Sequence, residues 1–145
     1  MNPLPETFPP LQEKIIMDIR SSLSDWDFIC TGYLFGSFLR SDTWHDIDLA
    51  LYLFSNPDPF ERYKLISRIG QAVEKTINPR IHVDVRIMNR APVSFVYEVL
   101  STGLLLISND DEKTAEFEAD ILIRYLDIQP WNESLDQWFR EALAG

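Results

Sequence analysis

Ile29-Cys30-Thr31-Gly32-Tyr33-Leu34-Phe35-Gly36-Ser37-Phe38-Leu39-Arg40 leads through a short loop to Asp46-Ile47-Asp48-Leu49-Ala50-Leu51-Tyr52-Leu53-Phe54. The first run, Ile29 to Phe35, is rich in β-formers and stops at a glycine. It predicts a strand, a tight turn and a short helix that Ser37 is placed to cap. The second run alternates at first and then becomes almost wholly apolar. That pattern suits a strand buried centrally in a sheet, with two carboxylates at its one polar end.

Toward the N-terminus, Leu11, Ile15, Ile19 and Leu23 recur at steps of four with Ile16 alongside, predicting an amphipathic helix that starts after Pro10. Residues 1–10 form a proline-rich lead-in with neither the basic start nor the apolar core of a secretory signal. Toward the C-terminus, Ser55-Asn56-Pro57-Asp58-Pro59 breaks the second strand, and Ile66, Ile69, Val73 and Ile77 mark a second helix ending before Asn78-Pro79. Residues 81–87 alternate His82, Asp84 and Arg86 against Val83, Val85 and Ile87, as a strand with one polar and one apolar face does. Pro92 opens a third helix carrying Val96, Val99 and Leu100 and closed by Gly103, and Leu104 to Ile107 is a fourth strand. Asn109 or Asp110 caps a helix bearing Phe117, Ile121, Leu122 and Tyr125. After a break at Pro130, Leu135, Trp138, Phe139, Ala142 and Leu143 give a last helix. The expected fold is one α/β (α+β) domain over residues 1–145, with a mixed sheet of about four strands and helices packed largely on one face.

The 145 residues carry 23 acidic against 13 basic side chains, a formal charge of -10. An unaided nucleic-acid binder needs a cationic surface, so direct nucleic-acid binding is not expected. Charge is uneven: residues 59–90 hold seven Lys or Arg against three acids, and residues 108–145 hold ten acids against three bases. Either both are solvated helix faces, or the acidic C-terminal helices of residues 110–145 contact a basic partner. Cys30 is the only cysteine, which leaves no internal disulfide or thiolate zinc cluster and fits the reducing cytoplasm. No stretch approaches the roughly 20 apolar residues that span a bilayer, so no membrane association is expected.

Side chains two apart on a strand share a face, which aligns Asp46 with Asp48. Asp84 lies on the polar face of another strand. Three carboxylates would converge if the two strands are neighbours, and such convergence is costly without cations. Their hard oxygens suit Mg²⁺, which keeps some waters and bridges one or two carboxylates to substrate phosphates. Gly36 lets the backbone approach a ligand, Ser37 follows at a helix N-terminus whose amides would bind a triphosphate, and Arg40 adds a charge-assisted contact. With two metals, Asp46 and Asp48 would clamp the nucleotide while Asp84 positions the attacking hydroxyl. This is phosphoryl or nucleotidyl transfer chemistry.

The ordered set Leu34-Phe35-Gly36-Ser37-Phe38-Leu39-Arg40, Asp46-Ile47-Asp48-Leu49 and Val83-Asp84-Val85 resembles the minimal nucleotidyltransferases of the DNA polymerase beta superfamily. The likeness extends through Pro92 to Ile107, which is similar to that family's helix, glycine and short strand. It implies a polymerase beta-like fold, catalytic and metal-binding Asp46, Asp48 and Asp84, and nucleotide contacts from Gly36, Ser37 and Arg40. Small members of this family occur as antitoxins paired with helical HEPN-domain toxins. The resemblance therefore implies a Mg²⁺-dependent antitoxin that moves AMP from ATP onto a tyrosine of a HEPN ribonuclease and assembles with it as a hetero-oligomer. Two positions depart from the family pattern: Ser41 stands where a Gly usually follows the Arg, and His45 where a Ser usually precedes the first Asp. The loop of eight residues between Ser37 and Asp46 is also short.

Those departures keep a rival open, an antitoxin that neutralises by complex formation alone. A third alternative is a nucleotidyltransferase for an antibiotic-like small molecule, for which 145 residues leave little room to shape an acceptor pocket. The bland readings of the remaining residues are local hydrogen bonding for His45 and His82, loop packing for Trp44, burial for Cys30, and core or interface packing for Trp26, Trp131 and Trp138.

Overall fold

The computed structural model describes residues 7–41 and 43–144. In chain order these form helix α1 (Pro10–Leu23), strand β1 (Ile29–Phe35), a single 3-10 turn (Ser37–Leu39), β2 (Asp46–Leu53), α2 (Pro59–Glu74), β3 (His82–Ile87), α3 (Val93–Thr102), β4 (Leu104–Ser108) and α4 (Asp111–Ala144). Prolines open α1 and α2, where a missing N–H costs nothing. The Asp58 carboxylate caps α2 by accepting the Glu61 amide at 2.8 Å, and Asp110 caps α4 through the Lys113 amide at 3.1 Å.

The four strands form one mixed sheet in the order β3-β2-β1-β4. β1 pairs antiparallel with β2 and β4, while β2 and β3 run parallel, joined through α2. The apolar run of β2 follows from this position: Ile47, Leu49, Ala50, Leu51 and Leu53 are all buried.

Alternation along the strands divides the core into two layers. Ile47, Leu49, Leu51, Val83 and Val85 point to the face covered by α1 and α2, meeting Ile15, Ile19, Leu23, Ile69 and Val73. Tyr33 and Ala50 point the other way, to Val96, Val99, Phe117 and Ile121 of α3 and α4. Helices therefore cover both faces, correcting the expectation of a largely one-sided arrangement. Apolar residues on both sides of β2 require cover on both sides. The polar first halves of β2 and β3, on the α3–α4 face, are left exposed or half-buried at Asp46, Asp48, His82 and Asp84.

Two further expectations change. Leu11 is 49% exposed, and Gln12 takes the inward position instead, donating from Nε2 to the Phe38 carbonyl at 2.8 Å. The helix stripe is thus shifted by one residue at its start, where a hydrogen bond to the 3-10 turn outweighs burial of a leucine. Pro130 does not divide two helices, because α4 is continuous from Asp111 to Ala144. A proline withdraws one N–H at a cost of about 3 kcal/mol, yet its fixed φ is helical, so the ladder persists on either side. Asp42, residues 1–6 of the proline-rich lead-in, and the side chains of Trp131, Leu135 and Phe139 lie outside the described residues. Among the described residues no helix is long and apolar enough to cross a membrane.

Candidate active site

The parallel register of β2 and β3 sets Asp46 beside His82 and Asp48 directly beside Asp84. Neighbouring strands lie about 4.8 Å apart, so the two carboxylates share one small volume on the open end of the α3–α4 face. Asp46 is exposed, and Asp48 and Asp84 are half-buried. On the other side Asp48 pairs with Phe35, the last residue of β1, which brings Gly36 over the acid. Gly36 has φ 85° and ψ -160°, a region that side chains avoid. A Cβ added there would stand 2.5 Å from Asp48 Oδ2. Two independent constraints, backbone and neighbour, therefore require glycine at this position.

Electrostatics match the geometry. Burial, with the adjoining Asp84 and Asp46 charges, raises the Asp48 carboxyl above its ordinary value, while Arg86 and His82 oppose the rise. Carboxylates that repel one another attract a hard cation. Among the described residues no three His, Cys, Asp or Glu side chains form a closed metal cage. The donor set nevertheless fits Mg²⁺, which takes one or two carboxylates and completes its octahedron with waters and phosphate oxygens.

The structure brings five of the six sequence-predicted residues to this end of the sheet: Gly36, Ser37, Asp46, Asp48 and Asp84. Ser37 is exposed, but its predicted role as a cap is corrected. Gly36 occupies the capping position, and no side chain caps the turn. The Ser37 carbonyl accepts the amides of Arg40 and Ser41, at 3.1 and 3.0 Å. Arg40, the sixth, directs Nη2 to the Thr102 carbonyl at 2.9 Å, tying the loop to the C-terminal end of α3.

Sequence reasoning passed over two residues that shape the site. Arg86 has Nε 3.8 Å from Asp84 Oδ2 and its guanidinium 5.2 Å above the Phe95 ring. Its position two residues after Asp84, on the same strand face, was the available signal. Glu74, at the end of α2, accepts the Val83 amide at 2.9 Å and lies 3.0 Å from both His82 Nδ1 and Arg80 Nη2. The Val83 hydrogen bond, aided by Arg80 and His82, holds the Glu74 carboxyl below its usual range. This clamp anchors the start of β3, and hence Asp84. No sequence spacing announced it, because α2 and β3 meet only through the crossover. The local readings of Trp44 and Cys30 hold: Trp44 packs edge-on against Phe38 at 4.7 Å, and Cys30 is a buried free thiol.

The polymerase beta nucleotidyltransferase family matches residues 17–112, more than half of the chain, spanning the glycine turn and all three acids. The chain belongs to the polymerase beta nucleotidyltransferase family. No curated protein matches it in sequence. Among solved structures, this nucleotidyltransferase is similar to a chain of the complex between tri-AMPylated Shewanella oneidensis HEPN toxin and MNT antitoxin. The TM-score is 0.65 at 20% identity, over 87% of this chain and 96% of that one. It is also similar to a chain of the MntA-HepT toxin-antitoxin structure, with TM-score 0.59 and 20% identity over 88% and 94% of the two chains. A toxin-antitoxin structure with AMP-PNP gives 0.62 and 20% over 87% and 95%. At these identities the likeness establishes the polymerase beta nucleotidyltransferase fold.

Proposed function

We propose that this nucleotidyltransferase is the antitoxin of a HEPN-domain ribonuclease toxin and transfers AMP from ATP to a tyrosine of that partner in a Mg²⁺-dependent reaction. The observation that carries the reading is the cross-strand pair of Asp48 and Asp84 beneath Gly36, with Asp46 on the same face. The structural neighbours support the choice of nucleotide and partner, since they include a tri-AMPylated HEPN toxin complex and a complex with AMP-PNP.

Asp46, Asp48 and Asp84 would hold Mg²⁺, which when bound neutralises phosphate charge and polarises the α-phosphorus toward attack. Gly36, lacking a Cβ, lets the donor's phosphates come close to the backbone, and the first amides of the Ser37 turn have no intrahelical partners to compete for them. Asp84 orients the acceptor hydroxyl and takes its proton. Arg86, held against Phe95, keeps the Asp84 carboxylate from turning away. Arg40 reaches the phosphates on exchanging its Thr102 contact for the stronger charged one. The new bond joins the acceptor oxygen to the α-phosphorus as the bond to pyrophosphate breaks.

Partner binding draws support from α4. Leu122, Ile123 and Leu126 are 47%, 61% and 54% exposed among acidic neighbours, a composition that suits a basic partner with an apolar centre. The reading places the protein in the cytoplasm, in keeping with the free thiol of Cys30. Intact-mass spectrometry of the HEPN partner after incubation with this protein, ATP and Mg²⁺ tests it. One or more added AMP units are expected, absent with the Asp46→Asn/Asp48→Asn variant. A stable complex without mass gain would replace transfer by neutralisation through binding alone, and AMP appearing only on small hydroxyl compounds would replace the partner.

A further inference from the structure

A cleft of about 530 Å³ opens where β2 and β3 end, between α4 and the β3–α3 turn. Tyr52, in its wall, is four residues along β2 from Asp48, about 13 Å at the rise of a strand. None of Gly36, Ser37, Asp46, Asp48 or Asp84 lines it. Its volume falls within the range of small-molecule sites.

Aromatic and cationic side chains line this space together. The rings of Tyr52 and Phe117 stack at 4.0 Å and 6°. Phe54 is 39% exposed, with Lys113 Nζ 5.1 Å above its ring. Arg90, Lys113 and Arg124 supply three positive charges against Glu116 and Asp120. Asp120 is already bound to Arg124 at 3.1 Å, so Arg90 and Lys113 outweigh Glu116. In a chain of net charge -10, this local excess of cations faces the dominant field.

Arg90 carries the second observation. Its φ of 63° makes it the only non-glycine with positive φ among the described residues. The turn is held rigidly: the Ala91 amide bonds the Met88 carbonyl at 3.0 Å, and the Asn89 side chain bonds both the amide and the carbonyl of Leu53, at 2.8 and 2.9 Å. Arg62 Nη2 donates to the Asn89 carbonyl. Glycine would adopt this backbone without strain. A long cation held there at conformational cost, on the wall of a cleft, points to a use for its charge.

We propose that this cleft is a second nucleotide-binding site that takes a nucleoside monophosphate, its phosphate between Arg90 and Lys113 and its base against Phe54 and the Tyr52–Phe117 pair. The monophosphate is either free or an AMP unit already joined to the acceptor. The second source rests on the transferase reading above.

NMR titration of the Asp46→Asn/Asp48→Asn protein with AMP tests the site directly, with the carboxylate site disabled. Saturable shifts at the Arg90, Lys113 and Phe117 amides are expected. Arg90→Gly with Lys113→Ala should weaken AMP binding at least tenfold. Arg90→Gly alone should raise Tm slightly, because relief of the backbone strain at φ 63° outweighs the greater chain entropy that glycine loses on folding. Shifts confined to residues 36–48, no saturation by millimolar AMP, or a lower Tm for Arg90→Gly would overturn the proposal. The source is read from the partner's mass distribution. If the Arg90→Gly/Lys113→Ala protein adds the first AMP at the wild-type rate but fewer later units, the site holds the growing adduct. An unchanged distribution with impaired AMP binding assigns the site to free nucleotide. Absence of any transfer by the wild type would refute the transferase reading and leave the titration result intact.

Discussion

Replacing Gly36 with alanine separates the two constraints at this position. The backbone, with φ 85° and ψ -160°, lies in a region essentially reserved for glycine, and forcing a side chain into it costs of order 1–3 kcal/mol. The added Cβ would also stand 2.5 Å from Asp48 Oδ2. Because that atom is the end of a side chain, the carboxylate can rotate away. The overlap therefore costs little stability but moves the acid from its place beside Asp84. We expect a loss of about 2 kcal/mol, or a fall in Tm of about 4–8 °C for a chain of this size, and a fall in AMP transfer of about 100-fold or more, the scale for a misplacement of about 1 Å. Thermal unfolding followed by circular dichroism reads the first, and single-turnover intact-mass spectrometry of the partner reads the second. Adding Asp48→Ala should leave the stability cost of Gly36→Ala unchanged, since most of it is backbone strain. A Gly36→Ala protein within about 0.5 kcal/mol of wild type, or one that transfers at the wild-type rate, would refute the reasoning.

Other consequences are equally accessible. The Asp46→Asn/Asp48→Asn protein should keep its circular dichroism spectrum and lose transfer altogether; residual transfer would mean that the carboxylates are not the metal ligands. The raised Asp48 carboxyl makes its charged form unfavourable in the fold, so Asp48→Asn should raise Tm at pH 7 in metal-free buffer. That gain should disappear as pH falls and the wild-type acid protonates, and a variant less stable at both pH values would count against mutual repulsion. Glu74→Ala removes the acceptor for the Val83 amide and should cost about 1–3 kcal/mol, measured by urea unfolding. Because Glu74 titrates below its ordinary 4.5, its contribution is present at neutral pH and lost as pH falls. The gap between wild type and variant should therefore narrow in acid.

Much of this site was legible in the residues because its parts are local. The two-residue spacing of Asp46 and Asp48 fixes a shared face whatever the strand's neighbours are, and the alternation of residues 82–87 does the same for Asp84. β1 ends at Phe35 as its composition predicts, since Gly36 breaks the run. Local patterns misled where a distant partner intervened. Gln12 displaced Leu11 from the core because Phe38 offers a carbonyl, and Ser37 lost the capping role to Gly36 because the chain must clear Asp48.

The sequence by itself determined the order of the four strands, the helices that precede residue 110 and the face of each acid, because these follow from side-chain periodicity; it did not show that α4 runs on through Pro130. Only the tertiary structure decided that β2 and β3 are parallel neighbours, that their register sets Asp48 beside Asp84, that both sheet faces are covered, and that Glu74 anchors β3. Strand pairing and register arise from contacts between segments far apart in the chain, whose energies appear only once the core has closed around β2.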